Sequence, residues 1–408
     1  MNYSTLPFTL VAPDEAYLLD VGALYRQAQT LSDQRKARGR QYPLALIITV
    51  AVLAKLAGYT HVEDIADWAK LRCQELHLLF ATKWARMPHH TTWSRILGRA
   101  VDIPALEQMV SQLLTPSRLG EVPDRCSIAI ALDGKTIRGT IPRGQSHGGV
   151  HLLAAYVPQR GAVLAQIAVA TKENEIVAAP TLLRQLDLTG VLLSGDAMFT
   201  QRALSIQIVE AGGDYLWMVK DNQPTLRNEI ELLFAPEYVQ AGWSAPAVDF
   251  TTAQTIECGH GRIEERRLTA SSLLAEYSDW PYLAQVFKLE YRTTELCSGK
   301  VTTAVRYGVT SAPQQVVDAR GLLTATRGHW GIETGLHSRR DGSFAEDRMR
   351  TRTGQAPHVL ATLNNLALGI LGGQGITNVA EAQRALAYHI DRFLQQVGAT
   401  HQAQVPPS

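Results

Sequence analysis

The sequence predicts an α/β protein in which a helical N-terminal region precedes a mixed β-sheet, and a β-rich segment follows. Three observations predict this class. Residues 1–115 carry apolar residues at helical spacing, residues 120–234 alternate short apolar runs with amphipathic stretches, and residues 235–311 change to period-2 alternation. Helical patterns return over residues 312–400 and complete the predicted division of the chain.

The N-terminal stretch is predicted to be a compact bundle of short helices, for which a helix-turn-helix arrangement is one alternative. Its most apolar run, residues 44–54, follows a 3.6-residue period and has Gly58 as a C-cap. This run is too short to span a bilayer, so we expect a buried core helix. A later helix is expected to have Thr91 or Thr92 as its N-cap.

The order β-β-β-α-β-α-β-α is predicted for residues 127–234. Almost every position from 128 to 132 is apolar, which is typical of a central strand buried on both faces. Two apolar runs on either side of residues 159–161 predict a hairpin, and the runs VLLSGDA and DYLWMVK predict two further strands separated by helices. This alternation indicates a mixed α/β sheet.

Composition narrows the classes of function. The 39 basic and 38 acidic residues nearly cancel, which argues against a wholly basic DNA binder but allows a local basic groove. The four cysteines, of which the nearest two are 39 residues apart, exclude a disulfide scaffold and a zinc ribbon and favour a reducing, cytoplasmic location. The N-terminus lacks the basic stretch of a secretory signal. We therefore expect a soluble protein with no membrane partner.

Two aspartates follow apolar runs that are predicted to be buried strands. Asp133 ends the run SIAIAL, and Asp196 ends the run VLLSG. Because α/β sheets bind ligands at the carboxyl ends of their strands, we expect the two carboxylates a few ångströms apart. Two carboxylates that close repel unless they share a cation, and oxygen ligands suit Mg²⁺ or Mn²⁺. The alternative for each is a turn aspartate, with Asp133 and Gly134 opening a hairpin.

A third acid, Glu333, lies in the segment RGHWGIETGLHSRR. His329, Glu333 and His337 are spaced by four residues and are expected on one helical face, with Arg340 close to it. Three interpretations stay open: a surface helix with charge pairing, a zinc site, and a carboxylate directed at the same metal ions as the two aspartates. The zinc site is the weaker one because the HExxH pattern is absent.

Five motifs occur in the order LDGKTIRG, GDAMFTQ, GGDYLWMVKDNQ, GHGRIEERR and HWGIETGLHSRRDGSFAED. In this set the chain resembles the DDE transposases of bacterial insertion sequences, and more narrowly the branch of the H-repeat-associated proteins. Residues 35–69 resemble the helical domain associated with that branch. The similarity extends over nearly all of residues 30–395.

The resemblance implies a ribonuclease-H-like catalytic core with a β-rich insertion between the second aspartate and the glutamate. It assigns Asp133, Asp196 and Glu333 as the catalytic acids and as ligands of Mg²⁺ or Mn²⁺, with two ions expected. The 137 residues from Asp196 to Glu333 are too many for one βα unit and fit such an insertion. We expect the insertion to be largely self-contained. The resemblance also implies a homodimer on DNA.

The motif around the glutamate departs from that of the wider superfamily. The superfamily has Tyr, Arg, Glu and Lys separated by two, three and six residues. This chain has Thr326, His329, Glu333 and Arg340 at those positions. The changes leave the acidic triad intact.

Double-stranded DNA, as element ends and as target, is the implied partner, and three groups of basic residues are expected to contact its phosphates. They are Lys135 and Arg138 after the first aspartate, His329, Arg339, Arg340, Arg348, Arg350 and Arg352 around the glutamate, and Arg35, Lys36, Arg38 and Arg40 near the N-terminus. The alternative for each group is a solvated surface paired with nearby acids. Trp217, Trp243 and Trp280 are expected to stack on a flipped base or, as favoured for Trp217, to pack in the core.

The function that the resemblance implies is a transposase that cuts DNA at the ends of an insertion sequence and transfers the strands to a target. Two alternatives stay open: a metal-dependent nuclease without strand transfer, and a domesticated, non-catalytic DNA-binding protein. The intact triad disfavours the second of these. Such a bacterial protein is expected in the cytoplasm, associated with the nucleoid.

Overall fold

The computed structural model describes residues 8–12, 15–82, 86–114, 124–145, 148–170, 174–235 and 249–403. Its strands are β1 (Phe8–Ala12), β2 (Glu15–Leu19), β3 (Ile128–Thr136), β4 (His151–Val157), β5 (Ala162–Val169), β6 (Val191–Gly195), β7 (Asp214–Val219), β8 (Thr251–Gly259), β9 (Arg262–Ser271), β10 (Gln285–Glu295) and β11 (Val301–Thr310). Its helices are α1 (Val21–Ala28), α2 (Leu44–Leu56), α3 (Val62–Leu71), α4 (Cys73–Leu79), α5 (His90–Arg99), α6 (Ile103–Leu114), α7 (Glu175–Leu183), α8 (Arg202–Glu210), α9 (Pro224–Leu233), α10 (Ala319–His329), α11 (Ser338–Gly342), α12 (Ala356–Gly372) and α13 (Val379–Ala403). A π-helical turn, Glu333–His337, precedes α11.

One nine-stranded mixed sheet organises the protein, in the order β5-β4-β3-β6-β7-β11-β10-β9-β8. The strands β3, β6 and β7 run parallel, and the other neighbours in this sheet pair antiparallel. The predicted order of residues 127–234 is confirmed, because β3, β4 and β5 are followed by α7, β6, α8, β7 and α9. The mixed α/β class is therefore confirmed as well.

The N-terminal helices pack directly on this sheet. One hydrophobic core includes Leu46 of α2, Leu106 of α6, Ala154 of β4 and Leu363 of α12. The stretch Ala37–Leu56 has the length and hydropathy of a membrane span. Every residue of α2 is nevertheless buried inside the protein, as predicted for a core helix.

Two expectations for the N-terminal region are wrong, and one is confirmed. The strands β1 and β2 pair as an antiparallel hairpin, so the region is not helical throughout. The helix α5 begins before Thr91 and Thr92, and His89 is its N-cap because its side chain accepts from the Thr91 amide. Gly58 follows α2 with φ of +86°, and its amide donates to the Lys55 carbonyl, as expected for a glycine that ends a helix.

The β-rich segment provides strands β8 to β11, but they do not form a self-contained layer. The strand β11 pairs antiparallel with β7, with Thr310 opposite Leu216 and Tyr307 opposite Val219, so the segment extends the main sheet. The expectation of a self-contained insertion is therefore wrong. The physical reason is that an unpaired β7 edge would expose backbone N–H and C=O groups, and β11 satisfies them.

Helix α10 packs against β8 and β9 and also against the central strands β3 and β6, and it precedes the segment that carries Glu333. Its residues Leu322 and Leu323 pack with Phe287 of β10 in a small apolar core. Helix α10 ends at His329, and a turn at Trp330 separates it from the helical residues 331–342. Leu336 of this second segment packs in the same hydrophobic core as α12. The first part of the helical pattern predicted for residues 312–400 is thus divided into α10 and the helical residues 331–342.

Candidate metal and DNA site

Asp133 and Asp196 lie side by side towards the carboxyl ends of the central strands β3 and β6, a place that we call the acidic edge of the sheet. They do so because β3 and β6 are parallel and in register. Leu132 is paired with Gly195, so the two aspartates are the next residue along each strand. Asp133 does not end its strand as expected, because β3 continues beyond it and pairs with β4, with Ala154 opposite Asp133. A position inside a strand excludes the hairpin-turn alternative for Asp133. The expectation of neighbouring carboxylates depends on this register and not on a strand end.

Asp133, Glu333 and His337 form one cluster of potential ligand atoms. One carboxylate oxygen from each acid and one imidazole nitrogen all lie within 4.8 Å of one another. His337 Nδ1 is 3.4 Å from Asp133 Oδ2 and 3.6 Å from Glu333 Oε2. The Gly134 amide donates to Asp133 Oδ1 at 2.9 Å and orients that carboxylate. The helical interpretation of the Glu333 segment therefore holds, but the turn that carries the cluster is π-helical.

The Asp133 end of the site is enclosed. Burial, together with the nearby Glu333 carboxylate, raises the pKa of Asp133 to about 7. Burial also lowers the pKa of His337 to about 3, so this imidazole is neutral at ordinary pH. Its Nε2 is buried without a hydrogen-bond partner among the residues that the structure describes. A neutral, buried ring thus faces a partly buried carboxylate, Asp133, and an exposed one, Glu333.

The Asp196 end of the site is open and basic. His329 Nε2 is 3.6 Å from Asp196 Oδ1. The interaction with His329, and the charges of Lys220 and Arg306, lower the pKa of the Asp196 carboxyl. A cleft beside Asp196 is lined by Lys220, Arg306, His329 and Trp330, and the Arg306 guanidinium lies 5.5 Å from the Trp330 ring centre. This end offers cationic and aromatic groups to a ligand, whereas the Asp133 end offers metal ligands.

Several of the predicted DNA contacts are exposed and therefore available to a phosphate backbone. They are Arg138, Arg348, Arg350 and Arg352 near the acidic site, and Lys36, Arg38 and Arg40 near the N-terminus. Three of them are also tied to the protein. Arg138 pairs with Asp347 at 3.5 Å, Arg352 donates to the Gly139 and Ile141 carbonyls, and Arg40 donates to the Asp33 and Arg35 carbonyls.

Other predicted contacts are largely engaged inside the protein. Lys135 is 9 % exposed and bonds to Asp341 at 2.7 Å. Arg35 pairs with Asp33 at 2.6 Å and organises its own loop. Arg339 is half-buried. The internal contacts of Lys135 and Arg35 are not revealed by the charge pattern alone.

Arg340 requires a correction, because the structure places it in the core and not on a DNA surface. Its side chain is fully buried, pairs with Glu346 at 2.5 Å and donates to Gln166 of β5 at 3.1 Å. Glu346 also accepts from Asn364 of α12, and the Asn364 oxygen accepts from Lys55 of α2 at 2.6 Å. This network, which we call the buried polar network, ties residues 331–346 to the sheet and to helices α2 and α12.

Of the three tryptophans, the two that the structure describes are core residues. Trp217 is fully buried, and its indole N–H donates to Ser205 at 3.0 Å. Trp280 is 5 % exposed. Trp243 lies outside the described residues.

Sequence reasoning missed the open cleft. Lys220 is the last residue of the predicted strand DYLWMVK, and Trp330 stands directly after His329 in the HWGIE motif, so the sequence could have indicated both positions. No feature of the sequence indicates Arg306, because it is far from the acids in sequence and comes near Asp196 only through the pairing of β11 with β7.

Comparisons with known proteins agree with this geometry. The family described as Transposase DDE domain matches residues 124–370, and the family described as DDE_Tnp_1-associated matches residues 26–114. "Putative transposase YncI" of Escherichia coli O157:H7 is 29 % identical over 358 residues, which are 86 % of this chain and 88 % of that protein. "H repeat-associated putative transposase YhhI" of Escherichia coli strain K12 is 27 % identical over 363 residues, which are 86 % of this chain and 91 % of that protein.

A solved structure of another transposase shows a weaker similarity. The piggyBac transposase synaptic complex with hairpin DNA, studied by electron cryo-microscopy, overlays with a TM-score of 0.44 at 10 % identity. The overlay covers 94 % of this chain and 80 % of that chain. A score below 0.5 does not establish a common fold.

Proposed function

The chain belongs to the DDE transposase family, and from this premise we propose that it is a metal-dependent transposase that cuts DNA at the ends of its element and joins those ends to target DNA. The observation that carries the proposal is the pair of aspartates in register on β3 and β6, with Glu333 brought next to Asp133 by a later helix. Catalytic acids that converge from distant parts of a chain indicate a reaction site rather than a solvated surface.

The residues at this edge fit divalent metal ions. Asp133, Asp196 and Glu333 would hold them, since carboxylate oxygens are the ligands that Mg²⁺ and Mn²⁺ prefer. The raised pKa of Asp133 reflects uncompensated negative charge in a buried place, which a cation would relieve. Two ions, when bound, would activate a water or a DNA 3′-hydroxyl and stabilise the oxygen that leaves.

The protein's own groups position the DNA. His329, Lys220 and Arg306 at the open end favour a phosphate beside Asp196, and the exposed Arg348 and Arg350 extend the basic surface. The buried polar network holds the glutamate-bearing segment against the sheet. Rigid support of this kind matters because a displacement of about 1 Å can cost about 10²-fold in rate.

We further infer that strands β5-β4-β3-β6-β7 with helices α7, α8 and α9 are a ribonuclease-H-like core. The strand order, with β4 antiparallel beside a parallel β3-β6-β7 group, supports this inference. The division into residues 1–115, 120–234, 235–311 and 312–400 stays a proposal, as do DNA binding by the N-terminal helices, a homodimer on DNA and a cytoplasmic, nucleoid-associated location.

The experiment offers the purified full-length protein a duplex that carries the inverted repeats flanking its gene, a plasmid target, and Mg²⁺ or Mn²⁺. We expect joined products that disappear with a chelator and in Asp133→Asn and Asp196→Asn variants. Asp279→Asn is the matched control, because Asp279 is an exposed aspartate paired with Arg202. Cleavage without joining would indicate the nuclease alternative, and DNA binding without cleavage would indicate the non-catalytic one.

A further inference from the structure

We infer that His337 is a direct ligand, through Nδ1, of the metal ion held by Asp133 and Glu333. The inference deepens the proposed function and rests on it, because it presupposes a metal ion at this edge. It goes beyond the acidic triad by making the donor set of this ion one nitrogen and two carboxylates.

Geometry is the first support. The three donor atoms lie within 4.8 Å of one another, with Nδ1 at 3.4 Å and 3.6 Å from the two carboxylate oxygens. Ligands that surround one ion at about 2.1 Å lie about 3 to 4.2 Å from one another. The separations of Nδ1 from Asp133 and Glu333 therefore match a shared ion and exceed an ordinary hydrogen bond.

The state of the imidazole is the second support. His337 is 6 % exposed, and its Nε2 has no partner among the described residues. With its proton on Nδ1, the neutral ring could donate to these carboxylates only across 3.4 Å and 3.6 Å, which is longer than an ordinary hydrogen bond. With its proton on Nε2, the ring leaves the Nδ1 lone pair free for a cation that would also offset the charge of both carboxylates.

The local fold brings the ring to this position. Glu333 and His337 are the first and last residues of the π-helical turn, a feature that often occurs at functional sites. The Gly134 amide holds Asp133 Oδ1 and leaves Oδ2 facing the ring. The strand and the turn together thus present three donors to one point.

The inference predicts a metal preference. Imidazole nitrogen suits Mn²⁺ and its later neighbours in the transition series better than it suits Mg²⁺, which prefers oxygen. We therefore expect the protein to bind Mn²⁺ more tightly than Mg²⁺. The preference should shrink in His337→Ala, because the remaining ligands are oxygens.

The test is pulsed electron paramagnetic resonance of Mn²⁺ bound to the full-length protein without DNA, together with Mn²⁺ titration calorimetry. We expect a ¹⁴N coupling in the wild type, its loss in His337→Ala, and a Kd for Mn²⁺ weakened at least about tenfold in that variant. His260→Ala, which changes an exposed histidine at the turn between β8 and β9, should keep both the coupling and the affinity.

Three outcomes separate the possibilities. Bound Mn²⁺ without any nitrogen coupling, or a coupling that survives His337→Ala, overturns the inference and leaves the proposed function standing. A coupling that disappears in His329→Ala instead would move the nitrogen ligand to the Asp196 end and also overturn it. Equal Mn²⁺ affinity in the wild type and in Asp133→Asn would contradict the metal site itself. If His337→Ala fails to fold, the wild type labelled with ¹⁵N-histidine replaces it. Loss of the ¹⁴N coupling on labelling would show that a histidine is the ligand. A coupling that stays intact in unlabelled His329→Ala would then support His337.

Discussion

The two ends of the acidic edge differ in burial, charge and pKa although they begin at equivalent positions on neighbouring strands. At the Asp133 end the carboxylate is mostly buried, with 19 % of its side chain exposed, its pKa is raised to about 7, and Glu333 and His337 face it. At the Asp196 end the carboxylate is about half exposed, its pKa is lowered, and His329 lies beside it. Positive charge therefore lies beside the carboxylate at the Asp196 end, whereas at the Asp133 end Lys135 is paired with Asp341 and Arg340 with Glu346.

The difference teaches how one sheet edge can serve two partners. A partly buried aspartate next to a second carboxylate favours a divalent cation, whereas an open acid surrounded by cations and aromatic rings favours a phosphate that approaches from solvent. We expect metal binding to depend mainly on the Asp133 end and DNA placement mainly on the Asp196 end. The predictions below test this division, from the largest effect to the smallest.

The largest effect is expected for the aspartates themselves. Asp133→Asn and Asp196→Asn should each lower strand joining by at least about 10³-fold, since each removes charge stabilisation at the reacting phosphate. Asp133→Asn should weaken Mn²⁺ binding more than Asp196→Asn. DNA affinity should change by no more than about twofold, because phosphate contacts dominate it. The measurement is strand joining with end and target DNA. Joining at the wild-type rate by either variant would contradict a catalytic role for that aspartate.

The next largest effect is expected for the buried polar network behind the Asp133 end, on the free energy of unfolding. Arg340→Ala leaves Glu346 buried without its cation, which typically costs about 3–5 kcal/mol of unfolding free energy. Urea denaturation measures this loss. The matched control Arg350→Ala removes an exposed arginine and should stay within about 0.5 kcal/mol of the wild type. Equal stability of the two variants would mean that the buried polar network contributes little.

The pH dependence of metal binding should follow Asp133. Its pKa of about 7 means that the carboxyl carries a proton at lower pH, and the metal must displace that proton. Mn²⁺ affinity should therefore rise about tenfold per pH unit up to about pH 7 and then level off. Asp196 adds no transition in this window because its pKa is lowered. Calorimetry that shows constant affinity between about pH 5.5 and 8 contradicts this assignment.

The smallest effect is expected at the open cleft. Arg306→Ala should weaken DNA binding about tenfold and reduce the slope of log affinity against log salt by up to about one unit, because one phosphate contact is lost. Arg292→Ala is the control, since Arg292 is exposed and points to the other face of the same hairpin. Fluorescence anisotropy at several salt concentrations measures both the DNA affinity and its dependence on salt for each variant. Identical slopes for Arg306→Ala and the wild type would place the DNA path elsewhere, first at Arg348 and Arg350.

Local patterns predicted much of the fold. The apolar run before Asp133 and the alternation after it gave the order of β3 to α9, because strand and helix periods depend on near neighbours. The attachment of β11 to β7 was not predictable in this way. It joins residues about 90 apart and depends on which sheet edge is free, which no local period encodes.

In the candidate site, too, the sequence predicts some features and not others. The positions of Asp133 and Asp196 follow from two strand-forming runs, so their proximity could be expected from sequence. The burial of Arg340 could not, because it depends on Gln166, 174 residues earlier in the chain. The arginine-rich segment that contains Arg340 looks uniform as a sequence, and only packing separates its internal member from its exposed ones.

The most direct test of the central claim is a crystal structure of the protein soaked in Mn²⁺, with the anomalous signal of the metal measured. We predict anomalous peaks at bonding distance from carboxylate oxygens of Asp133, Asp196 and Glu333, so that all three acids share the bound metal. Ordered acids with no peak at bonding distance from any of the three carboxylates would contradict the assignment of this edge as the metal site of a transposase.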